Sequence, residues 1–281
     1  MRIALIQQHA TRVKTDNVAR GLEAFEAAAR QGAEVVGFAE LAFEWFYPQR
    51  PAGAADLRVL AEPVDGPTVT AFQKKARELG VVAVLNLFER DGERTFDTSP
   101  VIDADGTLLG VTRMVHITEY ACFHEQGYYT PGDTGAPVYS TRAGRIGVAI
   151  CYDRHFPEYM RALALNGADL VFVPQAGAVG EWPEGLYEGE MRVAAFHNGY
   201  CIALCNRVGR EDCLDFAGES FVCDADGRVI VRAPLGQDHI LLADVDLARN
   251  AHSHARQLFL RHRRPELYAD WIAPIVEPHH G

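Results

Sequence analysis

Apolar and polar positions along the first half of the chain follow two different periods. Continuous apolar runs, which are typical of buried strands, occur at RIALIQQ (2–8), AEVVGFAEL (33–41) and VVAVLNLFER (81–90). Apolar residues at helical spacing occur in NVARGLEAFEAAARQG (17–32) and PTVTAFQKKARELG (67–80), each ending on glycine. Alternation around Ala-Asp-Gly predicts a hairpin in TFDTSPVIDADGTLLGVTRM (95–114). Together they predict a βαβ unit that is extended by a helix, a strand and a hairpin.

The second half repeats this order of elements. Its predicted strands are GRIGVAIC (144–151), ADLVFVPQ (168–175), YCIALCNRV (200–208) and HILLADVDL (239–247). Its predicted helices are PEYMRALALNG (157–167) and EGEMRVAAFHNG (188–199), and ESFVCDADGRVIVRA (219–233) is a second hairpin. Two mixed sheets, each with a pair of helices on its outer face, would bury all these runs. The expected fold class is therefore α/β, arranged as a four-layer α-β-β-α sandwich.

No linker-like stretch separates the two halves, so residues 1–281 are expected to form a single domain. The tail at 255–281, which begins ARQLFLRHRRPELY, has too few partners within such a sandwich. We expect this tail to pack on a second subunit.

Composition narrows the classes of partner. The 38 acidic and 27 basic residues give a net charge of -11, which argues against nucleic acid, because phosphate binding needs concentrated Lys and Arg. A small-molecule substrate is expected instead. No apolar run approaches the roughly 20 residues that cross a bilayer, and the first strand begins at Arg2 without a leader. We therefore expect a cytoplasmic protein with no membrane partner.

The expected cytoplasmic location also predicts the state of the six cysteines. In a reducing compartment their thiols stay free, and the chain contains no CxxC pair. Cys201 and Cys205 lie inside an apolar run and are interpreted as small core residues. Neither a metal site nor a cofactor is expected.

Two ionisable residues end apolar strands at corresponding places of the two halves. Cys151 follows RIGVAI and precedes a helix led by Pro157, where an anionic thiolate is favoured. Glu40 ends VVGFAE in the first half and would serve as its base. Taken singly, Cys151 would be interpreted as a buried structural cysteine, and Glu40 equally well as a base or as a capping or loop acid. Taken together, they predict one crevice, because related strand ends of parallel sheets converge.

Three segments carry a resemblance to a known family: FAEL around Glu40, HEQGYYTPGD at 124–133 and GVAICYDRHFPE around Cys151. They resemble the signature segments of the nitrilase superfamily of carbon-nitrogen hydrolases, and NRVG (206–209) and FLRHRRPELY (259–268) are similar to further blocks in the same order. The resemblance covers nearly the whole chain. It implies the four-layer fold, a homodimer or larger homo-oligomer, and a Glu-Lys-Cys triad that hydrolyses amides, N-carbamoyl compounds or nitriles.

Carried over residue by residue, the resemblance makes Glu40 the general base, Cys151 the nucleophile and Glu125 the second glutamate, which orients substrate and lysine. The lysine itself is missing, because Met114 stands at its position in TRMVHIT. The only lysines of the chain, Lys14, Lys74 and Lys75, are predicted to be solvated. Without a cation between them, Glu40 and Glu125 are expected to share a proton.

Other groups are candidates for substrate contact. Arg113 should point away from Met114 along an extended segment, whereas His116 shares its face. Arg154 is the preferred donor to an oxyanion or carboxylate, against an ion pair with Asp153 or Glu158, and the backbone N–H of Tyr152 is a further donor. Tyr128 and its neighbour Tyr129 either line the pocket or pack beneath it. Trp182 is the contact expected from the loop after ADLVFVPQ, against a solvated loop.

The leading hypothesis is a cofactor-free hydrolase of linear amides or N-carbamoyl amines, nearest those branches of the superfamily. It would act through a thioester on Cys151 and would be impaired or altered by Met114. The alternative is a catalytically inactive relative that serves as a small-molecule binding or regulatory subunit. A third possibility is chemistry in which the substrate supplies its own positive charge.

Overall fold

The computed structural model describes residues 1–53 and 57–272. Its strands follow in chain order: β1 (Arg2–Gln7), β2 (Val35–Phe38), β3 (Val82–Val84), β4 (Leu87–Asp91), β5 (Arg94–Ile102), β6 (Leu108–Arg113), β7 (Glu119–Tyr120), β8 (Phe123–His124), β9 (Val138–Thr141), β10 (Gly144–Val148), β11 (Leu170–Gln175), β12 (Cys201–Asn206), β13 (Val208–Arg210), β14 (Asp215–Ala217), β15 (Phe221–Cys223), β16 (Val229–Arg232) and β17 (His239–Asp244).

The α-helices are α1 (Lys14–Arg30), α2 (Pro67–Leu79), α3 (Pro157–Leu165), α4 (Leu186–Asn198) and the single turn α5 (Pro265–Tyr268). Short 3-10 helices occur at Tyr47–Gln49, Leu57–Val59, Glu125–Gly127, Cys151–His155 and Leu247–His252, and a π-helix at Ala255–Phe259.

The strands form two large mixed sheets. The first has the order β17-β1-β2-β3-β5-β4, with β6 added to β5, and its central strands β1, β2 and β3 are parallel. The second has the order β16-β15-β12-β11-β10-β9, with β10, β11 and β12 parallel. The two halves thus place their parallel strands at equivalent positions, as the repeated order of elements predicts.

The sheets pack face to face and the helices cover their outer faces. Phe25 of α1 and Phe72 of α2 meet edge to face on the first sheet, with ring centroids 5.8 Å apart, and α3 and α4 bury Met160 and Met191 against the second. Between the sheets, a Cβ atom on Gly37 would lie 1.8 Å from Phe172, so this crossing of β2 and β11 requires glycine. The predicted four-layer sandwich is confirmed.

Three local differences from the predicted elements bear on the site. The run at 81–90 is not one strand, because Asn86 lies between β3 and β4 and turns its side chain to Asp97 and Ser99. Strand β2 ends at Phe38, two residues before Glu40. Cys151 does not directly precede α3, since a 3-10 helix of five residues separates β10 from that helix.

The start of the tail packs on its own chain. Phe259 contacts Phe196 of α4 at 5.4 Å between ring centroids, and Arg256 donates to the carbonyl of Gly199 at 2.9 Å. Trp271 and Ile272 are exposed, and residues 273–281 lie outside the described residues. Packing of the tail on a second subunit stays a prediction.

The expectation that all six thiols are free is wrong for one pair. Cys122 and Cys213 form a disulfide across 91 positions of sequence, because the β7–β8 and β13–β14 hairpins bring them together. Cys151, Cys201, Cys205 and Cys223 are free and buried. Within residues 1–53 and 57–272, no helix is long and apolar enough to cross a membrane.

Candidate active site

The chain segment that carries Glu40 is fixed through its backbone. Directly after Glu40, Leu41 adopts a left-handed backbone with φ of 42°, and its N–H donates to Asn86 Oδ1 at 2.7 Å. The fully buried Arg207 donates to the carbonyls of Glu40 at 2.9 Å and Glu44 at 3.0 Å, and also to that of Leu41. These bonds hold the loop after β2 and leave the Glu40 carboxyl itself unbound.

Cys151 lies at the corresponding end of the second sheet. Its φ of 41° is a left-handed conformation that non-glycine residues rarely adopt, and such backbone strain concentrates at functional sites. Gln175, the last residue of β11, donates through Nε2 to Cys151 Sγ at 3.3 Å. The side chain of Cys151 is 6% exposed. Gln175 had no motif to mark it, although it ends a predicted strand of the same sheet.

The segment around Met114 is tied to the turn that carries Cys151. The carboxylate of Asp153 accepts from the backbone N–H groups of Val115 at 3.2 Å and His116 at 3.0 Å, and from His116 Nδ1 at 2.7 Å. The His116 ring also stacks on Phe156, with ring centroids 3.5 Å apart. Arg113 points to the opposite side, where it pairs with Glu89, as the alternation predicts.

Met114 itself is fully buried in the same apolar cluster as Cys151 and Tyr129. Its backbone N–H donates to the carbonyl of Asp97 at 2.9 Å. The position that the resemblance assigns to lysine therefore holds an uncharged residue whose backbone is bonded to that of Asp97.

Three carboxyls lie together at this place. Glu40 faces Asp97, Glu125 and the thiol of Cys151, and none of the three acids forms an ion pair with Lys or Arg in the described part of the chain. All three are fully buried. The sequence analysis does not single out Asp97. Its one signal in the sequence is the occurrence of an acid inside the alternating strand of a predicted hairpin.

Most oxygens of these carboxyls have no hydrogen-bond partner among the described residues. Both oxygens of Glu40 are buried and unpartnered, as are one oxygen of Asp97 and one of Glu125. The partnered oxygens accept from Asn86 Nδ2 at 2.6 Å, in the case of Asp97, and from the N–H of Thr118 at 3.4 Å, in the case of Glu125. Because buried polar groups are nearly always satisfied, this cluster is incomplete without a further donor.

Burial and mutual repulsion set the charge of the cluster. Burial raises the pKa of Glu40 well above its usual value, and the charges of Asp97 and Glu125 raise it further. Burial likewise raises the pKa of Glu125, and it raises that of Asp97 to about 7. The raised pKa values of Glu40 and Glu125 agree in direction with the expected sharing of a proton, and Asp97 is a third acid that faces Glu40.

The expectation that a thiolate is favoured at Cys151 is wrong for the free protein. Burial raises the pKa of the thiol, and the charges of Glu40 and Glu125 add to this, while Arg154 opposes it. The resting side chain is a neutral thiol, which needs a base before it attacks.

The other predicted contacts divide into two groups. Tyr152, Arg154 and Trp182 line a cavity of about 680 Å³ beside α3 and α4, which Glu190 also lines. Tyr128 instead packs against Phe88, with ring centroids 6.3 Å apart. The hydroxyl of Tyr129 is buried without a hydrogen-bond partner, and the charges of Asp97, Glu40 and Glu125 all raise its pKa. Of the two tyrosines, Tyr129 lies at the carboxyls.

Arg154 does not donate to Cys151 Sγ or to a carboxyl of the cluster. Its Nη1 donates to the backbone carbonyl of Cys151 at 3.2 Å, and its Nε lies 3.4 Å from Glu190. The guanidinium also lies over the ring of Tyr187, 4.6 Å from the centroid. Its ion-pair partner is thus Glu190 of α4 and neither of the two acids considered from the sequence.

The lysines do not supply the missing cation either. Lys14 is not solvated as expected, because it forms ion pairs with Glu44 and, at 3.1 Å, with Glu62. Lys74 and Lys75 lie on α2 and pair with Glu78.

Comparison with known proteins identifies the family. A sequence profile described as carbon-nitrogen hydrolase matches residues 2–253. The chain belongs to this family. An N-carbamoylputrescine amidase of Oryza sativa subsp. japonica is 33% identical to this hydrolase over 282 residues, covering 95% of this chain and 92% of the relative.

Two solved structures share the fold of this hydrolase. A carbon-nitrogen hydrolase from Helicobacter pylori G27 superposes with a TM-score of 0.91 at 26% identity, covering 98% of this chain and 99% of that chain. A mutant of an amidase from Nesterenkonia sp. AN1 gives a TM-score of 0.81 at 27% identity, with 97% of each chain covered. In that structure the acetamide moiety of fluoroacetamide is attached to the active-site cysteine. The predicted nitrilase-superfamily membership is confirmed.

Proposed function

We propose that this carbon-nitrogen hydrolase cleaves a linear amide or an N-carbamoyl amine through a thioester on Cys151. The observation that carries the proposal is the meeting of the Glu40 carboxyl with the Cys151 thiol, each at the end of a parallel strand of its own sheet. The N-carbamoylputrescine amidase and the acetamide-modified amidase support this substrate class.

We propose a role for each side chain. Glu40 takes the proton of the thiol as sulfur attacks the carbon, and returns it to the leaving amine when the carbon-nitrogen bond breaks. Water then attacks the thioester as Glu40 accepts its proton, and the C–S bond breaks as Glu40 returns that proton to the leaving sulfur. Gln175, bonded to Sγ, positions the nucleophile. Glu125 and Tyr129 face the same centre and hold the substrate nitrogen.

Met114 limits this reaction for neutral amides. An oxyanion forms when sulfur adds to a carbonyl, and the loss of one donor to such an oxyanion costs about 2.7–4 kcal/mol in a well-studied protease. Met114 has no N–H to donate, so the backbone N–H of Tyr152 is the donor that remains. We propose that turnover of neutral amides is slow for this reason.

Mass spectrometry of the intact protein tests the proposal. We expect a transient acyl adduct on Cys151 when the protein is mixed with acetamide, propionamide or N-carbamoylputrescine, and ammonia release that is lost in Cys151→Ala. Iodoacetamide labelling of the thiol would show that the site is accessible. Labelling without an adduct or ammonia from any of these compounds would contradict hydrolysis.

A binding or regulatory role without turnover is the second candidate, and the observation that favours it is the buried, uncharged Met114 at the position that the resemblance assigns to lysine. The same experiment separates hydrolysis from binding. In a binding protein the bound ligand protects Cys151 from iodoacetamide, but no ammonia is released. Measurement of ligand protection alongside turnover makes the distinction quantitative.

A homo-oligomer is also part of the proposal. Leu186 and Val193 of α4 are about half exposed and line the cavity of about 680 Å³. Such an apolar face is typical of a subunit contact. Light scattering during size-exclusion chromatography tests it, and a monomer of 31.0 kDa at all concentrations would contradict it. A cytoplasmic location remains a prediction from the sequence.

A further inference from the structure

The polar atoms around Cys151 are unbalanced between acceptors and donors. Buried oxygens without a hydrogen-bond partner are found on Glu40 (both), Asp97, Glu125 and Gln175. Besides the protons that the acids themselves retain, the side-chain donors that face them are the hydroxyl of Tyr129 and the amide of Gln175, which is already bonded to Sγ. A group that binds the ionised acids must therefore bring several N–H donors.

A carbonyl substrate supplies few of these N–H donors. The oxygen of an amide or urea is an acceptor, and it would meet more acceptors. An amidinium or guanidinium replaces that oxygen with a second nitrogen, so that every polar edge of the planar group donates. Such a cation also supplies the positive charge that no Lys or Arg in residues 1–53 and 57–272 provides by pairing with Glu40, Asp97 or Glu125.

A metal ion is the other occupant that carboxyl groups suggest. Among the described residues, however, no three His, Cys, Asp or Glu side chains converge closely enough to hold one ion. Glu40 and Glu125 face the thiol of Cys151, so an organic cation that they bind would bring its carbon to sulfur.

We propose that the group attacked by Cys151 is a cationic amidine or guanidine, which the enzyme hydrolyses to an amide or a urea with release of ammonia. The inference rests on the proposed function, because it uses the same addition of Sγ to a carbon bonded to nitrogen. It goes beyond that function by naming the charge and the donor pattern of the reacting group.

The chemistry balances without a cofactor. The S–C bond forms as Glu40 takes the thiol proton, and the electron pair of the C=N bond moves onto nitrogen, which becomes a neutral amine. Glu40 protonates that amine, the C–N bond breaks and ammonia leaves a thioimidate cation. Water adds while Glu40 takes its proton. The C–S bond then breaks as the C=O bond forms, and the hydroxyl proton passes to the leaving sulfur, which restores the thiol. Glu40 releases its proton, which ammonia takes up, so that overall a guanidinium and water give a urea and ammonium.

The absence of lysine fits this sequence of steps. No oxyanion develops in the first addition, because the displaced electron pair neutralises a cation and leaves nitrogen uncharged. The cation also activates the site: its charge lowers the raised pKa values of Glu40, Asp97 and Glu125, so that Glu40 loses its proton and becomes a base. The groups facing Glu40 are these two acids, Cys151 and Tyr129.

Matched pairs of compounds test the inference on the unaltered enzyme. Acetamidine and acetamide differ only in nitrogen for oxygen, as do agmatine and N-carbamoylputrescine. We expect ammonia release from the cationic member of at least one pair with kcat/KM about tenfold to a hundredfold higher, since hydrogen bonds between charged groups are the stronger ones. In Asp97→Asn this preference should fall about tenfold, whereas the exposed control Asp65→Asn should retain it.

Calorimetry gives a second result that does not depend on turnover. Acetamidine titrated into Cys151→Ala at pH 7, in two buffers with different heats of ionisation, should bind and release a proton from the acid cluster. Acetamide should do neither to the same extent. Equal affinity for both compounds would overturn the inference.

The outcomes separate this inference from the proposed function. Faster hydrolysis of the cationic member supports both. Faster hydrolysis of the neutral member, unchanged by Asp97→Asn, overturns the inference and leaves the proposed function in place. If neither member of any pair yields ammonia or a Cys151 adduct, both are refuted.

Discussion

Two glutamates of the loop after β2 are both fully buried, yet their surroundings differ. Glu44 accepts from Lys14 and from the N–H of Phe88 at 3.1 Å, and Lys14 also pairs with Glu62. Glu40, four residues earlier, has no partner on either oxygen and faces two further acids. Burial raises the pKa of both, but Lys14 opposes the rise only at Glu44.

The difference separates a structural acid from a functional one. A buried carboxylate with a paired cation costs little further free energy, whereas a cluster without a cation is stable only when protons occupy it. Such a cluster persists where an incoming group completes it. In the sequence, the strand end and the resemblance mark Glu40, whereas nothing marks Glu44; in the structure, Lys14 pairs with Glu44 and not with Glu40.

Substitution of Glu40 should have the largest effect on the contrast between the two glutamates. We expect Glu40→Gln to lower kcat by about 10²–10⁴-fold, because the amide cannot take the thiol proton. The melting temperature should stay constant or rise, since a buried carboxyl without a cation is removed. Ammonia release and thermal unfolding measure the two effects.

Glu44→Gln is the matched control for this change. It should leave turnover per folded molecule within about twofold and lower stability instead, because Lys14 loses a partner. If the two substitutions gave the same loss of activity, the distinction between the two glutamates would be wrong.

Removal of Lys14, the cation that pairs with Glu44, should destabilise the folded chain. Breaking a buried ion pair costs about 3–5 kcal/mol, and Lys14 is 31% exposed, so we expect Lys14→Met to lower the free energy of unfolding by about 2–4 kcal/mol. Urea unfolding measures it. Lys74→Met is the control, because its side chain is 80% exposed and should change stability by less than about 1 kcal/mol. Equal effects would contradict the comparison.

Addition of a cation to the unpaired cluster is the converse experiment. Met114→Lys should lower the pKa of the neighbouring acids and donate to an oxyanion, so that kcat/KM for acetamide rises about tenfold or more. The preference for acetamidine should fall in the same variant. Met114→Leu, which adds no charge, should show neither change. An unchanged amide rate with Lys in place would mean that the pocket has diverged at more than this residue.

The sequence predicts the layers and the two strand ends well, and the reason is local. Apolar runs and glycine stops marked the limits of α2 closely, and strand-end chemistry marked Glu40 and Cys151. Asp97, Asn86 and Gln175 escaped notice because their roles come from side-chain contacts between distant segments. The same holds for Lys14, whose partner Glu44 lies 30 positions away. Ion pairs and hydrogen bonds between residues far apart in the sequence set the charge at the site, and they leave no local sequence pattern.

The smallest expected effect is the pH dependence of stability caused by Asp97. Its pKa of about 7 in the folded chain exceeds the usual value near 3.9 in the unfolded chain. Between about pH 4 and pH 7 the native state holds a proton that the unfolded state has released, so this group lowers stability as pH rises and adds no further change above about pH 7. The effect is the reverse of that of an ion-paired acid.

Asp97→Asn removes this contribution, since the amide does not titrate. The stability of the variant relative to the unaltered chain should therefore rise by about 1 kcal/mol for each pH unit from pH 5 to pH 7. Urea unfolding at pH 5, 6, 7 and 8 measures the difference, with Asp65→Asn as the exposed control. Parallel curves for the variant and the unaltered chain would show that Asp97 is ionised throughout this range. A cation would then have to neutralise the cluster already in the free enzyme, and the contrast between Glu40 and Glu44 would disappear.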